Sequence, residues 1–364
     1  MQFKYLMPTE VYYGRESIDK NKNAMTKLGK KSLIVTGKSS SKRNGSLNHM
    51  ISALESLNIE YIIFDDVEEN PSLETIEKAA SLGRDGNVDF VIGIGGGSPL
   101  DAAKAVAVFI KNPQINRDNI FTSGKLESIP VVAVPTTSGT GSEVTPYSIV
   151  TVHKEETKKN LGQVVFPAIA FLDSSYTDNI PYNITISTAI DAFTHLVESY
   201  LSSKSTIMSD FYAEGGFKLF KTCFKNLIEK ELTEELREKV MLASMLGGIA
   251  IAQSGTSLPH GMGYALTYYN KLPHGLANGV LIVEYLKSFK NKDKIIKMLN
   301  ILGVEDLDQL KDIFDRLFQV DIKISDKQIS EYAISFGKNK DKLESHPEEV
   351  SIEDIERIYR NSLK

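Results

Sequence analysis

Residues 90–106 read FVIGIGGGSPLDAAKAV, and the order of residue types in this stretch decides the fold. Phe90-Val91-Ile92-Gly93-Ile94 is a short, nearly continuous apolar run, the pattern of a strand covered on both faces. Gly95, Gly96 and Gly97 then turn the chain, and Asp101 to Ile110 reads as a helix of small and β-branched residues. Glycines let backbone N–H groups approach an anion closely, and the helix start adds partial positive charge, so the turn suits a pyrophosphate. Its spacing is not G-x-G-x-x-G, and a ligand-free strand-to-helix turn is the plain alternative.

Working outward, the same alternation repeats. Ser32–Thr36, Tyr61–Phe64, Val131–Val134 and Ala168–Leu172 are further apolar, β-branched runs. Between them, Ser46–Leu57 and Ser72–Leu82 carry apolar residues at helical spacing, the second opening with Ser-Leu-Glu-Thr after Asn70-Pro71. Strand and helix in alternation predict an α/β domain with a doubly wound parallel sheet. From about residue 183 the strand runs stop. Thr185–Ser202, Ser209–Glu229, Thr233–Gln253, Gly275–Phe289, Asp306–Phe318 and Ile352–Ser362 read as helices, and the charged stretch Gly337–Glu349 as a solvated loop. The expectation is an α/β domain over residues 1–180 and an all-α domain over 181–364, with a ligand site in the cleft between them.

Composition bounds the function. The 364 residues suffice for two cores, and 41% hydrophobic with 24% charged residues is ordinary for a soluble chain. With 42 Lys and Arg against 47 Asp and Glu, the net charge of −5 gives no basic surface for nucleic acid. The opening MQFKYLMPTEVYYG does not read as a signal peptide, and no run approaches the roughly 20 apolar residues of a membrane span. Cys223 stands alone, so no intrachain disulfide and no cysteine-based zinc site can form, which fits a reducing cytosol. Its surroundings, Phe220-Lys221-Thr222-Cys223-Phe224, read as ordinary helix, and a buried structural thiol is expected.

Two other clusters suit anions. Pro135-Thr136-Thr137-Ser138-Gly139-Thr140-Gly141-Ser142-Glu143 concentrates hydroxyls and glycines after a strand. Thr36-Gly37-Lys38-Ser39-Ser40-Ser41-Lys42-Arg43 follows the first clear strand. A P-loop would need a glycine five positions before Gly37, where Ser32 stands. What remains is a basic, hydroxyl-rich loop with a glycine where an acid would otherwise bind a ribose 2′-hydroxyl. This favours NADP over NAD, with solvated surface charge as the alternative.

Of six histidines, three lie in suggestive places. Asp191 and His195 are spaced i, i+4 on a predicted helix and share one face. His260 and His274 each sit between a proline and a glycine. One carboxylate and three imidazoles suit Fe(II), Zn(II), Co(II) or Mn(II), whereas each histidine alone reads as a hydrogen-bonded core residue.

Taken in order, YLMPTEVYYG (5–14), GGGSPLDAAKA (95–105), VPTTSGTGSEVTPYSIVT (134–151), STAIDAFTHLVESYLS (187–202) and LPHGMGYALTYYNKLPHGLANGVL (258–281) resemble the iron-containing alcohol dehydrogenase family along essentially the whole chain. The resemblance implies the dehydroquinate synthase-like fold, a nucleotide-binding α/β domain followed by a helical domain. It implies Asp191, His195, His260 and His274 as ligands of a catalytic Fe(II), with Zn(II) possible. Gly96, Gly97, Ser98 and Asp101 match the pyrophosphate turn, and Thr136, Thr137 and Thr140 the loop touching the cofactor. Asn70, Tyr147 and Lys159 fall at further cofactor positions, and Gly37, Ser39 and Ser40 resemble an NADP-using branch. Many members carry a histidine four residues after the third ligand; here Tyr264 stands there, leaving the proton route to water, the ribose or Tyr264. The implied protein is a cytoplasmic homodimer acting on a small alcohol or aldehyde, with no nucleic-acid or membrane partner. The rivals are an NAD-using polyol oxidoreductase like glycerol dehydrogenase, a non-redox relative like dehydroquinate synthase, a cofactor-free metal hydrolase and a non-catalytic binding protein. Tyr147, Leu258, Tyr264, Leu266 and Tyr268 either line an apolar substrate pocket or belong to the core.

Overall fold

A computed structural model describes residues 2–363, which divide into two compact units. One unit comprises residues 7–137 and 141–180; the other comprises residues 2–6, 138–140 and 181–363.

In the first unit the chain forms strands β1 (Glu10–Tyr13), β2 (Lys31–Gly37), β3 (Glu60–Val67), β4 (Phe90–Gly95), β5 (Val131–Pro135), β6 (Ile149–Val152), β7 (Thr157–Asn160) and β8 (Ile169–Leu172). Six of them make one parallel sheet in the order β1-β8-β5-β4-β2-β3, and β6 and β7 form a separate antiparallel ribbon. Every residue of β4, β5 and β8 is buried, which is why these strands read as unbroken apolar runs. The period-two alternation sorts side chains to two layers. Leu33, Val35 and Val91 pack with the helices Leu73–Asp85 and Gly97–Lys111, while Ile34, Ile92 and Ile94 pack with the helix Ser46–Ser56. The helix Leu73–Asp85 starts where Ser72 accepts a hydrogen bond from the Thr75 N–H, a cap contributing about 1 kcal/mol.

The sheet topology marks one crevice. After β3 the chain returns to the other side of β2 to form β4, so the carboxyl ends of β2 and β4 flank the point where the winding reverses. Open α/β sheets bind ligands at such a point. Two of the sequence-predicted anion loops, the one after Gly37 and the one after Gly95, leave from those two strand ends.

The second unit is helical around one core. The helix Tyr182–Leu201 is buried on nearly all sides, so its sequence shows no polar face. Phe193 at its middle meets Phe220, Phe224 and Phe314 edge-on at centroid distances of 5.2, 5.6 and 5.5 Å, geometry that favours aromatic pairs. Cys223 is fully buried in this core, and burial pushes its thiol up to about 11, so the structural reading of that residue stands on geometry. Two further helices, Asp293–Leu302 and Asp326–Phe336, were not read from sequence. Gly337–Glu349 corrects an expectation. Rather than a solvated loop, it contains the helix Lys340–Glu344, buries Ser345 and His346, and half-buries Lys342. Charge count alone hid this, because the apolar faces of Tyr285 and Phe289 that receive His346 lie some 60 residues earlier in sequence. Among the described residues, no single helix is long and apolar enough to cross a membrane.

Gly95 holds a backbone φ of +150°, and a Cβ there would lie 2.6 Å from Pro99 Cγ. Gly95→Ala is therefore expected to destabilise the protein by roughly 1–3 kcal/mol. Urea unfolding at unchanged m-value reads this as a lowered midpoint, and a midpoint equal to the parent's contradicts it.

Candidate functional site

In the helical unit, the helix Tyr182–Leu201 carries Asp191 and His195 one turn apart. Ligand atoms of Asp191, His195 and His260 lie within 4.8 Å of one another, and all three side chains are buried. His260 Nε2 is 3.4 Å and His274 Nε2 3.7 Å from the same oxygen, Asp191 Oδ1. The His195 and His260 rings stack at 4.4 Å, and the His274 ring stands edge-on to His260 at 5.4 Å. His274 is more exposed than the others and lies outside the tight group of three. Its approach depends on Gly275. A Cβ there would fall 1.8 Å from the Ser187 carbonyl oxygen and 3.0 Å from Asp191 Cβ, so only glycine lets the helix His274–Ser288 lie so close to Asp191.

The outer contacts fix which nitrogen faces inward. His195 Nδ1 is 3.2 Å from the Gly139 carbonyl oxygen, and His260 Nδ1 bonds the Glu198 carboxylate. With Nδ1–H donating in both, each Nε2 is left as a lone-pair donor. His260 Nε2 is buried and has no hydrogen-bond partner. A buried carboxylate ringed by inward-facing imidazole nitrogens, one of them orphaned, fits a divalent cation with nitrogen and oxygen ligands. Charge agrees. Burial opposes ionisation of Asp191, yet His195, His274 and His260 hold its carboxyl far below the usual carboxylate range. Burial pulls His195 down to about 4. Burial works the same way on His260, but the Glu198 and Asp191 charges outweigh it and raise that group to about 9, so its Nε2 carries a proton facing Asp191 until a cation takes that proton's place.

Tyr264 stacks on His274 at 6.0 Å with an interplanar angle of 19°, so the structure brings this residue beside the third of the site's histidines. Leu258 and Leu266 instead belong to the helical core, and Tyr268 is partly exposed. Two contributors were missed in the sequence. Glu198 continues the Asp191 and His195 face at i+7 and i+3, a spacing that signals it once one looks beyond the ligand pair. Asn278, one turn after His274, donates from Nδ2 to Asp191 Oδ1 at 3.2 Å and lies 3.3 Å from His274 Nε2.

In the α/β unit the expected nucleotide residues fall into three groups. Gly96 faces Thr137 so closely that a Cβ would be 3.2 Å from Thr137 Oγ1, and the Thr136 N–H donates to the Gly95 carbonyl oxygen at 2.8 Å. The two glycine and hydroxyl clusters thus adjoin at the carboxyl ends of β4 and β5. Asn70 joins them: it has φ +58°, and its N–H donates to Ser98 Oγ at 3.0 Å, with Gly97 and Ser98 opening the helix Gly97–Lys111. Thr140 lies in the segment 138–140, which clusters with the helical unit.

Asp101 is engaged from within. Oδ1 accepts from Ser142 at 2.5 Å, Oδ2 accepts from the Ile149 N–H at 2.9 Å, and Lys104 Nζ stands 3.7 Å away. Fully buried Lys104 donates to Ser142 Oγ and to the Tyr147 carbonyl oxygen, both at 2.7 Å. Asp101 and Lys104 therefore anchor the loop between Ser142 and Ile149. Burial lowers Lys104 to about 8 against Asp101 and Glu143, and burial raises Glu143 to about 7 against its own backbone N–H and Lys104.

Around β2, Gly37 closes the strand, and Ser39 and Ser40 start the short helix Ser40–Arg43. Lys38 pairs with Asp66 at 2.9 Å and Lys42 with Asp65 at 2.5 Å, so carboxylates at the end of β3 offset the basic loop. Lys159 pairs with Glu155 and lies 5.2 Å from the Phe121 ring centroid.

Comparison with known proteins gives the family. The family model "Iron-containing alcohol dehydrogenase" matches residues 8–174, and "Fe-containing alcohol dehydrogenase family, C-terminal" matches residues 185–363. An NADPH-dependent butanol dehydrogenase of Clostridium saccharobutylicum is 29% identical over 98% of this chain and 97% of its own. A long-chain-alcohol dehydrogenase of Geobacillus thermodenitrificans is 30% identical over 82% of this chain and 77% of its own. The crystal structure of an iron-containing alcohol dehydrogenase from Thermotoga maritima superposes with a TM-score of 0.92 at 39% identity, covering 100% of this chain and 99% of that one. The chain belongs to the iron-containing alcohol dehydrogenase family and is an oxidoreductase working between alcohols and aldehydes.

The buried Glu143 gives a pH test. Its folded value of about 7 stands above the ordinary 4.5, so the folded state holds the extra proton between those values. The stability this contributes is present below pH 4.5 and lost as pH rises through 7. Glu143→Gln lacks the titration, and its stability relative to the parent is expected to rise by more than about 1 kcal/mol across that window. Parallel stability–pH curves for the two proteins contradict the assignment.

Proposed function

We propose that the chain interconverts small aldehydes and alcohols with NADP(H), and that Asp191, His195, His260 and His274 hold its catalytic divalent ion, Fe(II) foremost and Zn(II) as the alternative. The observation that carries this reading is the buried His260 Nε2, which makes no hydrogen bond and faces the Asp191 carboxylate at 3.4 Å. Bound there, such an ion supplies Lewis-acid polarisation of a substrate oxygen, and the nicotinamide supplies hydride chemistry. The protein's own part is positional. Gly139 and Glu198 hold the His195 and His260 rings with Nε2 inward, and Asn278 steadies the Asp191 oxygen. The turn Gly96-Gly97-Ser98, with Thr136, Thr137 and Asn70, binds the cofactor pyrophosphate through backbone and hydroxyl donors at a helix start. Asp101 serves this indirectly, by anchoring the loop that carries Tyr147. The stacking of Tyr264 on His274 supports it as a proton route to or from the substrate oxygen, beside water and the nicotinamide ribose. Lys159 reaches the cofactor only by leaving Glu155.

For the coenzyme, the absence of an acid at Gly37 and the adjacent Lys38 and Lys42 favour a 2′-phosphate. The reading with NAD rests on Asp65 and Asp66, which occupy those lysines in the structure. Both ion pairs are solvent-exposed, and such pairs contribute at most about 1 kcal/mol, so a dianionic phosphate can displace them. We further propose a homodimer working in the cytoplasm.

The test is anaerobic loading with Fe(II), followed by cofactor absorbance with butanal and either NADPH or NADH. Oxidation that requires both metal and aldehyde, faster with NADPH, is expected; oxidation indifferent to metal contradicts the reading. His260→Ala should keep NADPH binding while losing metal and more than about 100-fold in turnover. Full metal occupancy with undiminished activity in that variant removes the ligand assignment. Gly37→Asp should shift the NADPH/NADH ratio toward NADH by roughly tenfold, the effect of about 1.4 kcal/mol; an unchanged ratio removes the reason for choosing NADP.

A further inference from the structure

We propose that Glu198 is the positioning residue of the metal centre, an anionic hydrogen-bond acceptor that locks His260 in its ligating tautomer and thereby sets how tightly the site holds its ion. The inference rests on the metal reading above and concerns a residue outside the ligand set.

Three observations meet at this side chain. First, Glu198 is fully buried on the same helix as Asp191 and His195, where a carboxylate has no reason to be unless it is used. Second, its two oxygens do different work. Oε1 bonds His260 Nδ1, while Oε2 accepts from the backbone N–H of Ser257 at 2.6 Å and, more weakly, from that of His260 at 3.4 Å. The helix Leu258–Asn270 has no side-chain cap of its own, so Glu198 fills that role from another helix. One carboxylate thus fixes both the backbone that carries His260 and the orientation of its ring. Third, the far nitrogen of that ring is the orphaned Nε2 beside Asp191. A histidine whose Nδ1–H is taken by an anion can present only Nε2, and the anion makes that nitrogen a stronger donor.

The negative charge is itself supported. Half-buried Lys342 interacts electrostatically with Glu198, and its Nζ bonds Thr256 Oγ1, one residue before Ser257. The segment that looked like a solvated charged loop therefore delivers the counter-charge to the outer side of the centre.

A structural role and a positioning role differ in what a Gln substitution spares. Glu198→Gln keeps the volume and leaves an amide oxygen able to accept from backbone N–H groups, but it removes the anion facing His260 Nδ1. The experiment titrates metal-free protein with Co(II), followed by its visible d–d absorption, for the parent, Glu198→Gln and Glu198→Ala. Melting temperature and NADPH binding are measured on each. The parent is expected to bind Co(II) with a four- or five-coordinate spectrum. Glu198→Gln should bind it about 10–100-fold more weakly, with an altered band pattern but an unchanged melting temperature and unchanged NADPH affinity. Glu198→Ala should bind Co(II) no more tightly than Glu198→Gln. A Glu198→Gln affinity within threefold of the parent's, with the same spectrum, overturns the proposal and leaves the metal reading intact. A parent that takes up no Co(II) overturns the metal reading, and this proposal with it.

Discussion

An ionised carboxylate inside a protein costs several kcal/mol unless cations or hydrogen-bond donors surround it, and Asp191 is where the helical unit meets that demand. Its Oδ1 accepts from Asn278 and faces the Nε2 atoms of His260 and His274. Much of the surrounding packing follows from this constraint. Gly275 is cut back so that one helix can approach Asp191, and Glu198 and Gly139 turn two rings toward it. On the helix that carries Asp191 and His195, Phe193, two residues along from Asp191, packs against Phe220, Phe224 and Phe314.

The α/β unit solves a different problem with similar means. Its sheet reverses winding between β2 and β4, leaving two strand ends bare of crossing chain. Gly95 and Gly96 let the turn after β4 press against Pro99 and Thr137, while buried Lys104 ties down the loop from Ser142 to Tyr147. A buried lysine between Asp101 and Glu143 is a costly device for holding a loop, and its charged neighbours make it tolerable.

Much of this was legible in the sequence. Unbroken apolar runs gave β2, β4, β5 and β8 to within a residue or two at each end, because strands buried on both faces leave no ambiguity of pattern. The Asp191 and His195 pair was visible from i, i+4 spacing, and Pro-His-Gly marked His260 and His274 as residues at helix starts. What stayed hidden was pairing across sequence distance. Glu198 shares the helix face of Asp191 and His195, but spacing does not name its partners, Ser257 and His260, some sixty residues further on. Lys38 and Lys42 read as free positive charge until β3 brings Asp65 and Asp66 alongside. Asp101 sits in the motif that suggested phosphate contact, yet its oxygens are taken up by Ser142 and Ile149, some forty residues further on. Periodicity reports which face of an element is buried; it carries no information about which element buries it.

The most direct test of the account is the anomalous diffraction of crystals loaded with Fe(II) or Zn(II), measured at the metal's absorption edge. The account predicts one strong peak in the helical unit, bonded at about 2.0–2.2 Å to an Asp191 oxygen and to His260 Nε2, with His195 and His274 completing the set. A peak elsewhere, with His260 Nε2 still unliganded, would contradict it.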